Sequence, residues 1–407
     1  MSSRLKYIVV STSTCLTLLL LIGSVLGQGA PQDDTYKHIG VFTDVVSRIK
    51  SEYVEEPDMK SVTLGALNGM LEAIDPFASY LNADQYKDYQ KNKDAKRGDV
   101  GLILSKKFGY VGVVGVIPGS PAAKAGFSTG DMIESIKDVG TRDMPLAYAD
   151  LLLKGDPGST IDLSVVRVQR PEPQAVKLTR ATVALPPVED QALASGQVGY
   201  LKPGSLTAAK VKETAAEIEK LQKQGAQKLI VDLRNTAVGE PEDGIAFANL
   251  FLNKGRITYL QGQRVTRQNF EADASKAITN LPLVVLTNRG TADAAEIAAS
   301  ALNDNKRAEL VGERTYGDAS LRKAITMEDG SAIILSVAKY YSADGKAIQD
   351  NGVTPKNQVL QTEAQPEVDD NGEPLPETQK DQTPQQQKKL EEDPMVKKAL
   401  ELLGVKA

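Results

Sequence analysis

The chain has 407 residues, a net charge of −5, one His (His38), one Cys (Cys15) and no Trp, with a pI near 5.3. A single His and a single Cys exclude paired-His metal motifs and almost exclude His- or Cys-based catalysis, which leaves serines near lysines as the nucleophile–base combination to look for. The acidic balance, with no long basic run, excludes nucleic acid as a partner.

At the N-terminus, Arg4 and Lys6 precede a largely apolar run from Tyr7 to Leu26, with Leu18-Leu19-Leu20-Leu21-Ile22 at its centre and small residues around Gly27. Residues 1–30 therefore read as an export signal, either a cleaved signal peptide or a retained membrane anchor. A spanning helix needs about 20 apolar residues, and Ser11-Thr12-Ser13-Thr14 dilutes the first half of the run. Both readings place the remainder outside the cytoplasm, periplasmic or anchored and facing outward. Cys15 falls inside the signal, so the mature chain is expected to lack cysteine.

Residues 35–95 carry apolar side chains at helical spacing: Val41, Val45 and Ile49, then Leu64, Leu67, Met70, Leu71 and Ile74. The spacing predicts short amphipathic helices whose stripes pack as core. Asp75-Pro76 ends the second helix, and Phe77-Ala78-Ser79-Tyr80-Leu81 follows.

From 98 to 172 the pattern changes to short strand-like runs punctuated by Gly and Pro. The stretch Val116-Ile117-Pro118-Gly119-Ser120-Pro121-Ala122-Ala123-Lys124-Ala125-Gly126-Phe127-Ser128-Thr129-Gly130-Asp131-Met132-Ile133 resembles a PDZ domain, because turn, short helix and Gly-Asp turn come in one fixed order. PDZ domains add an extended peptide to a sheet edge and hold its C-terminal carboxylate on backbone N–H groups. The resemblance implies Val100, Gly101, Leu102 and Ile103 as the carboxylate loop, with Leu102 and Leu104 on one face of the following strand. The helix from Pro145 to Leu153 adds Ala149 and Leu152 as groove positions, although most of its apolar residues must fill the small core.

The region 180–358 alternates strand and helix. Val198-Gly199-Tyr200-Leu201, Lys228 to Leu233, Leu281 to Thr287 and Ala332 to Ala338 read as strands; Thr207 to Gln224, Gly244 to Leu252 and Ala294 to Asn303 read as helices. Such alternation predicts an α/β sheet, whose sites lie in loops after strand ends. One such loop is Gly290-Thr291-Ala292-Asp293-Ala294-Ala295-Glu296-Ile297.

That loop resembles the nucleophile loop of the C-terminal processing peptidases, also called tail-specific proteases, in which a serine stands where this chain has Asp293. Support comes from residues 75–81, from Val198-Gly199-Tyr200, Val231-Asp232-Leu233-Arg234-Asn235, Lys306-Arg307-Ala308 with Val311-Gly312-Glu313, and from Tyr340-Tyr341. The resemblance implies a serine, a lysine base about 25 residues later, a nearby glutamine and an oxyanion hole. The base position is Asp318, in Thr315-Tyr316-Gly317-Asp318-Ala319, and the glutamine position is Arg322. In the oxyanion loop, Asp232-Leu233-Arg234-Asn235-Thr236-Ala237-Val238-Gly239, the proline and first glycine of the family are replaced by Ala237 and Val238. The relict oxyanion positions are Gly239 and Ala294. Losing one oxyanion donor costs roughly a hundredfold to a thousandfold, whereas losing both nucleophile and base removes the mechanism. Ser300 and Ser320, the latter with Lys323 nearby, read as packing or surface residues rather than substitute nucleophiles, and Thr291 matches a position that the resemblance implies is not catalytic. Two aspartates in the former site cannot both ionise at close range without a cation or a shared proton. A charge-neutral cluster with Arg322 is preferred to an acid protease or to a metal site, for which only Glu296 is a further ligand candidate.

Residues 361–392 are dense in Glu, Asp, Pro and Gln and read as a disordered linker. Asp393-Pro394 then starts a terminal helix over 393–405, with Met395, Val396, Ala399, Leu400, Leu402 and Leu403 apolar, docking on the body or on a partner subunit.

The sequence thus predicts an α/β, or α+β, peptidase-like core with an inserted PDZ domain, a helical N-terminal region and a disordered tail, without cofactor or metal. The expected function is an exported, inactive homologue of serine peptidases that binds peptide or protein C-termini as adaptor or regulator, as a homo-oligomer or with an active relative. An active serine-type endopeptidase with atypical residues and a purely structural envelope protein are the alternatives.

Overall fold

The computed structural model describes residues 35–93, 97–107, 109–142, 144–168, 170–360 and 390–405. The export signal and the acidic linker lie outside the described residues, apart from the linker's last three positions, 390–392. By contact the chain divides at Gly65. In the first unit, α1 (Thr35–Glu52) is helical as its spacing predicts, and α2 (Met59–Glu72) begins there and ends in the second unit. The expectation that these stripes pack as core is corrected: Val41, Val45, Met70 and Ile74 are exposed. Periodicity reveals that a helix has an apolar face, but not what surface that face meets.

The second unit holds two modules. A short strand β1 (Ser79–Leu81) and α3 (Ala83–Asn92) lead into an antiparallel sheet with β2 (Leu102–Lys107), β3 (Tyr110–Val116), α4 (Pro121–Lys124), β4 (Met132–Ile136), β5 (Val139–Gly140), α5 (Leu146–Leu153), β6 (Thr160–Arg167) and β7 (Arg170–Thr179). Its strand order is β2-β3-β4-β6-β7, with β5 on β4. Helix α4 starts where Ser120 accepts the Ala123 N–H at 3.1 Å, with Pro121 at its first position, a good N-cap followed by a residue whose missing N–H costs nothing there.

The core module follows: β8 (Glu189–Leu193), β9 (Val198–Lys202), α6 (Ala208–Lys223), β10 (Lys228–Asp232), α7 (Pro241–Asn249), β11 (Arg256–Gln261), β12 (Gln268–Glu271), β13 (Leu283–Thr287), α8 (Ala294–Asp304), β14 (Glu309–Gly312), β15 (Ser320–Thr326), β16 (Ala332–Tyr341), β17 (Asn357–Gln358) and α9 (Pro394–Leu402). Six strands form one sheet, β17-β14-β13-β10-β9-β8, parallel except for β8. Side chains alternate across it. Leu229, Val231, Leu283 and Val285 join the core beneath α6, α7 and α8, while Ile230, Val284 and Leu286 face Met395, Val396, Ala399 and Leu400 of α9. The terminal helix therefore docks on the body's own sheet. Asp393 caps it by accepting the Met395 and Val396 N–H groups at 2.8 and 3.2 Å, and its other oxygen pairs with Arg234 at 2.7 Å. The second sheet, β1-β16-β11-β12 with β15 on β16, is antiparallel.

This topology positions the site. Neighbouring parallel strands β10, β13 and β14 all end on the same edge, so the loops 233–240, 288–293 and 313–319 converge there, where α/β sheets place their chemistry.

Candidate active site, and what remains of it

Loop 288–293 is held by its own polar groups. Asn288 accepts the N–H groups of Gly290 and Asn235, both at 3.0 Å, Thr291 donates its hydroxyl to Leu233 O at 2.8 Å, and Ala292 N–H reaches Thr236 O at 3.0 Å. The loop must then turn sharply into α8, and Asp293 does so at φ 51°, ψ −118°. A residue with a Cβ is strained in that region by about 1–3 kcal/mol. A strained residue between strand and helix is what projects a nucleophile in other hydrolases, and the backbone here keeps that shape although the side chain is an aspartate.

Glu296, which the sequence suggested only as a metal candidate, is the central residue of the cluster. It is fully buried. One of its oxygens accepts the Thr315 hydroxyl and the Gly317 N–H, the latter at 2.7 Å. The other accepts the N–H groups of Asp318 at 2.7 Å and of Asp293 at 3.2 Å. A single carboxylate oxygen thus bridges the backbone of Asp293 and Asp318. Burial raises its pKa to about 7, against the pull of the Thr315, Asp318 and Gly317 donors. The signal was present in the sequence, because Glu three residues after a helix N-cap is the reciprocal partner in a capping box.

The two aspartates beside Glu296 have different surroundings. Asp318 forms an ion pair with Arg322, whose guanidinium also stands 4.2 Å from the centre of the Phe77 ring. Burial pushes the Asp318 carboxyl up despite that cation. Burial, reinforced by the charge of Asp318, holds the Asp293 carboxyl well above the usual carboxylate range, and Asp293 Oδ1 is buried without a hydrogen-bond partner. The arrangement favours a protonated Asp293 beside an ionised Asp318–Arg322 pair, since two partly buried carboxylates and one cation carry no net charge only if one acid keeps its proton. Acids thus occupy both positions, Asp293 at the turn and Asp318 beside Arg322. Among the described residues no set of three His, Cys, Asp or Glu side chains is arranged to hold a metal ion.

In the oxyanion loop, Gly239 has φ +151°, and a Cβ there would stand 2.5 Å from Leu206 O and 3.0 Å from Ala294 Cβ. Close approach, apart from any catalytic role, is sufficient reason for this glycine. Val238 O accepts the Leu206 N–H at 2.7 Å, which pins the residue before it. Ala294 opens α8, where the first backbone N–H groups have no helical partner. The substitute serines do not form a second site. Ser300 is buried in α8, and the Ser320 hydroxyl pairs with Ser336 Oγ at 2.8 Å while Lys323 is exposed.

The PDZ module leans on this site. Tyr316, one residue before Gly317, donates its hydroxyl to Ser105 Oγ on β2, a Cβ at Gly115 would stand 3.2 Å from Ala237 Cβ, and one at Gly290 would stand 3.0 Å from Thr129 Oγ1. Of the groove residues read from the sequence, Val100, Gly101, Leu102 and Ala149 are buried in the module's core, which leaves Ile103, Leu104 and Leu152 partly exposed. The reading that Leu102 lines the groove is corrected: Leu102 sits with the core side chains and Leu104, on the same face of β2, packs against them, while the irregularity in the β2–β3 pairing leaves Val114 of β3 without a partner and the alternation along β2 intact. Moreover, the N–H groups of Val100 and Gly101 already donate to Asp99 Oδ1 at 2.6 and 3.0 Å, so two donors of the carboxylate loop are occupied. At the other end, a cavity of about 10 Å³ between Lys106 on β2 and Met144-Pro145 before α5 is walled by Asp75, Pro76 and Ala78, and Ser79 Oγ accepts the Ala147 N–H at 3.1 Å. Phe77 is buried with the PDZ core and meets Tyr316 edge to face at 6.0 Å.

Comparison with known proteins agrees with this architecture. The description of peptidase family S41 matches residues 197–359, and that of a PDZ domain matches residues 112–167. The carboxy-terminal-processing protease of Bartonella bacilliformis is 31% identical over 329 residues, covering 80% of this chain and 75% of its own. The carboxyl-terminal-processing protease of Synechocystis sp. is 33% identical over 336 residues, covering 81% and 77%. Among solved structures, the photosystem II D1 C-terminal processing protease superposes with a TM-score of 0.65 at 27% identity, over 79% of this chain and 92% of that one.

Proposed function

The chain belongs to peptidase family S41, with carboxy-terminal processing proteases as its relatives, and from that premise we propose that it is an exported member that no longer cuts peptide bonds and serves as a binding or regulatory protein. One observation carries the loss of activity: the nucleophile position holds Asp293, buried and strained, and the base position holds Asp318, committed to Arg322. Peptide hydrolysis by this family's route needs a hydroxyl within reach of a neutral amine. Here the two positions carry acids. What remains is the scaffold and a PDZ module, whose general mode is to take an extended peptide at a sheet edge. The partner we infer is the C-terminus of a peptide or protein, taken up alone or in assembly with an active relative.

Peptides ending in apolar residues, with free or amidated C-termini, test this reading by calorimetry. The free form should bind at least tenfold more tightly, and equal or absent binding would sink carboxylate recognition. A second reading, a purely structural envelope protein, is favoured by the closed ends of the groove: Asp99 on the carboxylate loop and residues 75–79 at the helix end. A groove that stays closed to every tail peptide, with the fold intact, is the outcome that reading requires.

A further inference from the structure

A second concavity, of about 300 Å³, opens on the core module and is lined by Asn253, Lys254, Asn280, Asn305, Lys306 and Arg307, with Phe251, Leu252 and Gly255 completing its wall. None of these residues belongs to the former catalytic site, and no carboxylate is among them. The volume lies at the lower end of small-molecule sites, roughly 300–1,000 Å³.

The local structure explains how the cations come together. Helix α8 ends at Asn305 in a double reverse bond: Lys306 N–H reaches Asn303 O and Arg307 N–H reaches Leu302 O, both at 2.9 Å. This Schellman ending requires a left-handed residue just past the cap, a place where glycine is usual. Lys306 fills it at φ 55°, at a cost of about 1 kcal/mol relative to glycine, which projects an exposed ammonium at the turn. Arg307 follows. It is half-buried and held by three backbone carbonyls, with Nε to Phe251 O at 2.9 Å and Nη2 to Leu281 O at 2.8 Å and Thr279 O at 3.3 Å. Its Nη1 makes no hydrogen bond among the described residues, and burial lowers its pKa with no carboxylate to offset the penalty. Lys254 reaches the same concavity from the loop after α7, beside Gly255, whose missing side chain lets Asn305 Oδ1 approach. Neither lysine has an ion-pair partner among the described residues. Three cations gathered in one hollow of a chain with net charge −5, one of them rigidly aimed, form a receptor for negative charge.

We propose that Lys254, Lys306 and Arg307 form a binding site for a small polyanion, a phosphate or carboxylate-bearing molecule whose polar body is held by the amides of Asn253 and Asn280. Arg307 supplies a fixed N–H to one oxygen, and the two lysines supply mobile charge around it.

Calorimetric titration of the full chain with inorganic phosphate and, separately, with citrate at constant ionic strength tests the site and distinguishes the two chemistries. At least one anion should bind saturably and competitively with the other, and the double variant Lys254→Glu/Lys306→Glu should weaken it at least tenfold without changing the unliganded melting temperature. Both substituted residues are exposed, so the variant should fold. Lys323→Glu, an exposed charge reversal on β15, serves as the control and should leave binding unchanged. Absence of saturable binding to either anion, unaltered affinity in the double variant, or an equal loss in Lys323→Glu would overturn the proposal.

Discussion

The core module and the PDZ module each keep a fold, but different contacts hold their candidate sites. In the core, backbone shape and buried hydrogen bonds set the site: Asp293 holds a strained turn, Gly239 is pressed between Leu206 and Ala294, and Glu296 ties the start of its helix to the 315–318 loop. In the PDZ module the elements are intact, while the two ends of the groove are met by Asp99 and by residues 75–79. Residues fixed by close packing or by several hydrogen bonds are costly to change whatever the protein does, because each broken contact lowers stability. Residues that faced only a substrate have no such protection. On the proposed function, the difference separates a framework kept for folding from positions free to change once cleavage is no longer required.

The contrast breaks first at Glu296, where the expected effect is largest. Glu296→Ala would strand four donors in a dry site, and each unsatisfied buried group costs roughly 1–3 kcal/mol; allowing for relaxation, a loss of about 4 kcal/mol is expected in urea unfolding. A change below about 1 kcal/mol would show that the bridge is not part of the framework.

A pH series sharpens the same point. Glu296 has a folded pKa of about 7 against 4.5 when unconstrained, so the folded state binds more protons between those values. Its stabilising contribution is fully present below pH 4.5 and is lost as pH rises through 7, a fall on the order of 3 kcal/mol. Burial shifts Asp293 in the same direction, which steepens the fall. Stability that instead climbs from pH 5 to 7.5, after correction for the remaining carboxylates in a Glu296→Gln variant, would contradict this.

Asp293→Gly should act oppositely to most core substitutions. It removes a buried, unpartnered carboxyl and relieves a left-handed φ while keeping the N–H that Glu296 accepts, so thermal unfolding at pH 7.5 should show a gain of about 1 kcal/mol. Destabilisation by a similar amount would mean that the aspartate has been recruited to the framework. In the PDZ module, Asp99→Ala releases the Val100 and Gly101 N–H groups and removes a negative charge that repels a tail carboxylate. Affinity for a free C-terminal peptide should rise about three- to tenfold, roughly 1 kcal/mol. No rise would assign the closure to residues 75–79 alone.

Much of this was legible in the sequence, for identifiable reasons. The strands at Lys228, Leu283 and Val198 show as buried apolar runs, the helix at Ala294 follows the Gly290-Thr291-Ala292-Asp293 loop, and Asp393-Pro394 reads directly as a helix start. The replaced positions, Asp293, Asp318, Arg322 and Val238, could be found because neighbours fixed by packing preserve the pattern around them. Less was legible where a residue's role depends on distant partners. Nothing local to Phe77 announces that it is buried beside Tyr316 and under Arg322, and the period that marks Val41 and Val45 as one face does not reveal that the face is exposed. Alternation likewise placed Leu102 and Leu104 on one face of β2, but it does not reveal that this face packs on the module's own core.

The central claim is that the Asp293 site is retired, and one comparison tests it most directly. The purified chain and its Asp293→Ala variant are incubated with an unstructured protein carrying an apolar C-terminal tail, and cleavage is followed by mass spectrometry. The account predicts no specific products from either protein beyond a buffer control. Cleavage by the unaltered chain that disappears in Asp293→Ala would contradict it and show an aspartate working where the family's relatives place a serine.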